Sequence, residues 1–161
     1  MGNTFPNWMI SLSSTKFFLN KLYIRGWLNL ELLPPLGKLP HLEYLFISTV
    51  YGLQKVGVEF LGIESTNQNG IIIFSMLKDI YLESLYKWEE WIDIGGTKEE
   101  EEKEKENGSS TVTLKIMTRL NFLTIWYCQK LKSLPVPDFI LTTPLQQLKI
   151  RGCPFFTERC E

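Results

Sequence analysis

Histidine is nearly absent from this chain of 161 residues: only His41 is present. A catalytic triad or a histidine-bearing metal cluster would have to pass through that one side chain. It sits in Leu39-Pro40-His41-Leu42, with no acid or nucleophile spaced to serve it, and is read as an ordinary surface residue. Cysteine is scarce too. Cys128, Cys153 and Cys160 are odd in number and form no C-x-x-C pair, which argues against a disulfide framework or zinc knuckle and for a reduced, cytoplasmic setting. No apolar run approaches the roughly 18 residues of a membrane-spanning helix. The opening Met1-Gly2-Asn3-Thr4-Phe5-Pro6 lacks the basic and apolar regions of a secretion signal, and Pro6 stands where myristoylation wants Ser or Thr. Neither sign of charge dominates: the net charge is -1, so bulk attraction to nucleic acid or to a membrane is not expected. A phosphate-binding loop is missing as well, since Gly37-Lys38 is followed by Leu39 and Gly95-Gly96-Thr97-Lys98 runs in the wrong order. With no nucleophile, base and orienter to assemble, the chain reads as non-enzymatic and without cofactor or metal.

Leucine is what the sequence has in quantity. There are 24 leucines among 44% hydrophobic residues, enough for a sizeable core. They recur on a comb of apolar positions spaced 3, 3, 2, 3, 3. Leu39, Leu42, Leu45, Ile47, Val50, Leu53 fit it, as do Phe74, Leu77, Ile80, Leu82, Leu85, Trp88 and Met117, Leu120, Leu123, Ile125, Cys128, Leu131. Leu19, Leu22, Ile24, Trp27, Leu30 and Leu145, Leu148, Ile150, Cys153, Phe156 fit from the second tooth on. Two teeth separated by 2, such as Leu45 and Ile47, share one face of a short strand, and the steps of 3 let the chain turn out and return beneath the next coil. One such coil cannot bury its own leucines, whereas stacked coils can. The expected fold is therefore an α/β leucine-rich-repeat solenoid of about five repeats. A parallel sheet would form its concave face, with irregular or short helical returns opposite.

The spacing between repeats places two insertions in this single domain of residues 1–161. One, at about 57–73, carries apolar residues before the polar Ser65-Thr66-Asn67-Gln68-Asn69-Gly70 and is expected to tuck against the flank. The other, at about 92–110, lies in a strongly acidic stretch: from Trp88 to Ser110 the net charge is -6, which leaves +5 for the rest. Its composition reads as a solvated, disordered loop. After each strand the tooth is Trp27, Val50, Leu85, Cys128 and Cys153 in turn. Only the two cysteines have a polar group that could satisfy backbone donors, so irregular turns are expected in the first three coils, with Cys128 and Cys153 as buried structural thiols.

Residues alternating with the strand teeth should face outward in three columns: Lys21, Tyr44, Asp79, Phe122, Gln147; Tyr23, Phe46, Tyr81, Thr124, Lys149; and Arg25, Ser48, Glu83, Trp126, Arg151. Aromatic side chains rimmed by charge mark protein interfaces. The candidate binding residues are Tyr23, Tyr44, Phe46, Tyr81, Phe122 and Trp126, with Arg25, Lys149 and Arg151 at the rim. Cover by the insertions or by another domain is the competing explanation for these aromatics. An open trough suits a protein partner rather than a small-molecule substrate.

Several segments, taken in order, resemble one family. They are Phe5-Pro6-Asn7-Trp8-Met9, Leu33-Pro34-Pro35-Leu36-Gly37-Lys38-Leu39-Pro40-His41-Leu42-Glu43, Val56-Gly57-Val58-Glu59-Phe60-Leu61-Gly62, Trp88-Glu89-Glu90-Trp91, Leu131-Lys132-Ser133-Leu134-Pro135, Gly152-Cys153-Pro154 and Glu158-Arg159-Cys160. The series looks like the C-terminal repeats of plant nucleotide-binding leucine-rich-repeat disease resistance proteins of the coiled-coil subclass. That resemblance implies a region that recognises a pathogen effector or host protein, or restrains the receptor's own nucleotide-binding domain. It also implies that Met1 begins in mid-array. The same array could serve a ubiquitin-ligase adaptor, although the F-box-like helical segment expected ahead of it is not visible, or could be a free decoy fragment.

Overall fold

Buried teeth alternate with more exposed residues over Lys21–Arg25 and at the start of Tyr44–Val50 and Asp79–Leu85, and the main sheet is built on this pattern. The computed structural model describes residues 18–62, 72–92, 115–134 and 143–156. Strands β1 (Lys21–Arg25), β2 (Tyr44–Val50), β5 (Asp79–Leu85), β8 (Phe122–Trp126) and β9 (Gln147–Arg151) pair in that order, all parallel. The register does not slip, since Leu22, Leu45, Ile80, Leu123 and Leu148 stand side by side across all five strands. Two smaller parallel pairs tie the return segments together: β3 (Lys55–Val56) with β6 (Glu90–Trp91), and β4 (Ile72–Ile73) with β7 (Lys115–Ile116). The architecture is α/β with little helix and is compatible with a leucine-rich-repeat fold.

The teeth of the three central units form the core. Leu39 to Leu53, Phe74 to Trp88 and Met117 to Leu131, taken at the comb positions, are all nearly or wholly buried. Val58–Leu61 forms a single helical turn, α1, with Phe60 and Leu61 buried. The Phe60 ring lies 4.9 Å from Phe74 and 6.0 Å from Trp91. α1 can sit this close because of Gly37, where a Cβ would run into the Leu61 carbonyl oxygen. The polar tip at 65–70, nearly all of the acidic run, Phe5 to Met9 and Glu158 to Cys160 lie outside the described residues.

The turns after the strands correct the sequence reading. Irregularity was expected in the first three units, yet the residue before the strand-end tooth has a positive φ in all five, Gly26, Thr49, Ser84, Tyr127 and Gly152 at 75°, 56°, 54°, 55° and 67°, with Thr49 and Ser84 still inside β2 and β5. Backbone bonds near these residues link one unit to the next. Gly26 N donates to Ser48 O at 3.1 Å, Tyr86 N to Val50 O at 3.1 Å, and Tyr127 N to Arg151 O at 2.8 Å. Turn shape here is set by stacking rather than by the polar tooth. The cysteine thiols contact backbone groups on both sides: a backbone hydrogen bond from Leu85 favours the Cys128 thiolate and one from Cys128 that of Cys153, and both thiols also lie against carbonyls. Cys128 Sγ lies 3.5 Å from Trp126 O, and Cys153 Sγ lies 3.5 Å from Arg151 O.

Burial fades at the last unit. Leu148, Ile150, Cys153 and Phe156 match the comb, but β9 is an edge strand, and these side chains are only half-buried or, for Leu148, exposed.

Candidate protein-binding face of the sheet

The register that stacks the teeth also stacks the residues between them. Across the five strands the aligned sets are Lys21, Tyr44, Asp79, Phe122, Gln147; Tyr23, Phe46, Tyr81, Thr124, Lys149; and Arg25, Ser48, Glu83, Trp126, Arg151. All nine sequence-nominated residues therefore lie on one face. Tyr23, Phe122, Trp126, Arg25, Lys149 and Arg151 are exposed, while Tyr44, Phe46 and Tyr81 are half-buried against one another. The ring of Tyr23 lies 5.5 Å from Tyr44 and 5.9 Å from Phe46, and Tyr44 lies 5.5 Å from Tyr81, all tilted. Four rings thus form one continuous aromatic surface over β1, β2 and β5. Tilted pairs at these separations are favourable for ring quadrupoles.

Two outward positions are not available to solvent. Ser48 is 1% exposed and Thr124 5% exposed, short side chains standing in register between Arg25 and Glu83 and between Tyr81 and Lys149. The Ser48 hydroxyl has no hydrogen-bond partner among the described residues.

The electrostatics follow from this packing. Burial pushes the Tyr44 phenol above its ordinary value, helped by Tyr23, Tyr81 and the negative charge of Asp79. Burial likewise raises Asp79, while Lys78 pulls it back. Lys78 Nζ is itself committed to Glu43 Oε2 at 2.9 Å. Similar pairs, Lys132 with Glu89 at 2.6 Å and Lys55 with Glu90 at 2.5 Å, link successive return segments away from this face.

Other features escaped the sequence reading. Tyr51 and Tyr86 stack with centroids 4.4 Å apart just past β2 and β5, and a hydrogen bond with Tyr86 pushes the Tyr51 phenol up. Their spacing of one unit was the available signal. An open cleft of about 680 Å³ lies where the segments after β1, β2 and β5 meet, lined in part by Leu28, Leu32, Lys55 and Lys87. Leu28 and Leu32 fall between teeth, so the comb does not register them. His41, read as a surface residue, is half-buried and stacks on Phe18 with ring centroids 4.9 Å apart. Among the described residues no cluster of His, Cys, Asp or Glu is placed to hold a metal ion, and no helix is long and apolar enough to cross a membrane.

Two curated proteins of Arabidopsis thaliana match this sequence. "Putative disease resistance protein At3g14460" is 35% identical over 92 residues, which are 56% of this chain and 6% of that protein. "Putative disease resistance RPP13-like protein 1" is 31% identical over 98 residues, 60% of this chain and 9% of the other. Over somewhat more than half of its length the chain is similar to these two disease resistance proteins. It spans less than a tenth of the length of either of these relatives. No family model matches the chain, and no solved structure does. The relatives agree with the resemblance carried by the repeat motifs, and the sheet face is the feature they leave undescribed.

Proposed function

We propose that this chain is a leucine-rich-repeat segment of a plant intracellular immune receptor, a single solenoid domain carrying two insertions. Its sheet face would hold a protein: a pathogen effector, a host protein, or the nucleotide-binding domain of the same receptor. The reading is non-enzymatic and cytoplasmic. The observation that carries it is the unbroken register from β1 to β9, which gathers Tyr23, Tyr44, Phe46, Tyr81, Phe122 and Trp126 onto one face with Arg25, Lys149 and Arg151 on the two edge strands of the sheet. Large aromatic side chains supply contact area at small conformational cost, and a charged rim adds orientation. The similarity to disease resistance proteins supplies the biological setting.

The test is a plant carrying the receptor gene with Phe46→Ala and Trp126→Ala together, challenged with a pathogen to which the unchanged plant is resistant. Loss of resistance, or cell death without infection, is expected at normal protein accumulation. Unchanged resistance and unchanged resting behaviour would remove this face from the reading.

A further inference from the structure

The outer face of the sheet is zoned by charge. Its outward residues charged at neutral pH are Lys21 and Arg25 on β1, Asp79 and Glu83 on β5, and Lys149 and Arg151 on β9. The strands between them, β2 and β8, contribute no charge to the face, only Tyr44, Phe46, Ser48 and Phe122, Thr124, Trp126. β5 is two strands from β1 and two from β9. At about 4.8 Å per strand, each basic edge lies roughly 10 Å from the acidic centre at the backbone. That separation exceeds the screening length of about 8 Å at physiological salt, so a partner meets three fields rather than their average. None of the six is in a salt bridge among the described residues. The central acids are walled by rings: Asp79 stands in register between Tyr44 and Phe122, and Glu83 has Trp126 beside it. A carboxylate beside aromatic faces suits a guanidinium or ammonium group, which gains from both.

Resting on the reading of this face as a protein-binding surface, we propose that it selects a partner helix lying across the strands, which presents one basic residue to Glu83 and acidic residues about seven positions to either side, against Arg25 and Arg151 in the same register row, with Asp79 adding to the central negative field. The seven-residue spacing is the same 10 Å at 1.5 Å per residue. A helix fits better than an extended segment because its backbone is satisfied internally. The aromatic middle of this face offers an extended backbone few partners.

Two alanine-rich, side-chain-bridged helical peptides test this against the whole chain, one with Glu, Arg, Glu at seven-residue intervals and one with Arg, Glu, Arg. Binding is followed by fluorescence anisotropy of a label on the peptide. The first peptide is expected to bind at least about tenfold more tightly near 0.15 M salt. The preference should shrink at 0.5 M salt and vanish in the Asp79→Asn, Glu83→Gln variant, whose side chains keep their shape. Equal binding of both peptides, preference for the second, or binding of neither overturns the proposal. Equal binding that Phe46→Ala with Trp126→Ala abolishes would leave the face a protein-binding surface and remove only its charge selection.

Discussion

The ring of Tyr127 covers Gly152: a Cβ built on Gly152 would lie 2.6 Å from Tyr127 Cδ1. Gly152 also holds φ at 67°. Gly26 occupies the same turn position at φ 75° with nothing within 4 Å of its virtual Cβ. Gly26→Ala should therefore cost only the left-handed backbone penalty, about 1–2 kcal/mol. Gly152→Ala adds overpacking against the ring and should cost about 2–4 kcal/mol in urea unfolding. In a Tyr127→Ala background the Gly152→Ala cost should fall to the Gly26 level. An unchanged cost there would place the strain elsewhere.

Thr49 is the least suited of the five turn residues. A β-branched side chain at φ 56° is a steric outlier. Thr49→Gly removes a penalty of about 1–2 kcal/mol, against roughly 0.5–1 kcal/mol of extra backbone entropy lost on folding. A net gain of about 0.5–1 kcal/mol is expected, with a smaller gain for Ser84→Gly. Both are read as a rise in the unfolding midpoint, and a fall for Thr49→Gly would contradict the turn argument.

Much of the sheet was legible because burial forces a period. Leu45, Ile47, Ile80, Leu82, Leu123 and Ile125 could be assigned to one buried layer from spacing alone, and the same spacing aligned Tyr44, Asp79 and Phe122 across strands. The turns were not legible, because Thr49, Ser84 and Tyr127 are not residues that prefer a left-handed backbone. For Tyr127 a backbone bond to Arg151 of the next unit holds the conformation, and such a bond depends on stacking that no local window contains. The burial of Ser48 and Thr124 was not legible either, because alternation reports only the facing. Leu148 shows the limit of the comb, since a tooth at an edge strand keeps its spacing and loses its cover.

Ser48 gives a stability prediction on the candidate face itself. Its hydroxyl is buried with no partner among the described residues. An unsatisfied buried hydroxyl costs about 1–3 kcal/mol of desolvation, and alanine removes it with the loss of one atom. Ser48→Ala is expected to stabilise the chain by about 1 kcal/mol. A destabilisation of similar size would mean that the hydroxyl is bonded in solution.

Cys128 sets an alkaline limit on the fold. The thiol is fully covered, and burial, the largest effect, pushes its pKa up to about 12 from an ordinary 9.0. A raised pKa on an acid means that the folded chain keeps the proton at pH values where the unfolded chain has lost it. Stability is then undiminished below about pH 9 and falls as pH rises from there toward 12. Three units correspond to at most about 4 kcal/mol. Cys153, half-buried beside it, is raised in the same direction by burial. Lysines and tyrosines titrate in the same range, so the informative quantity is a difference in slope. Urea midpoints measured from pH 8 to 10.5 should fall more steeply for the unaltered chain than for Cys128→Ala, even though the variant starts lower for want of packing. At pH 8 iodoacetamide should leave Cys128 unmodified in the folded chain and label it once urea unfolds the protein. Parallel slopes together with ready labelling of the folded chain would show that the thiol is open to solvent and that the stacked units around it do not close as described.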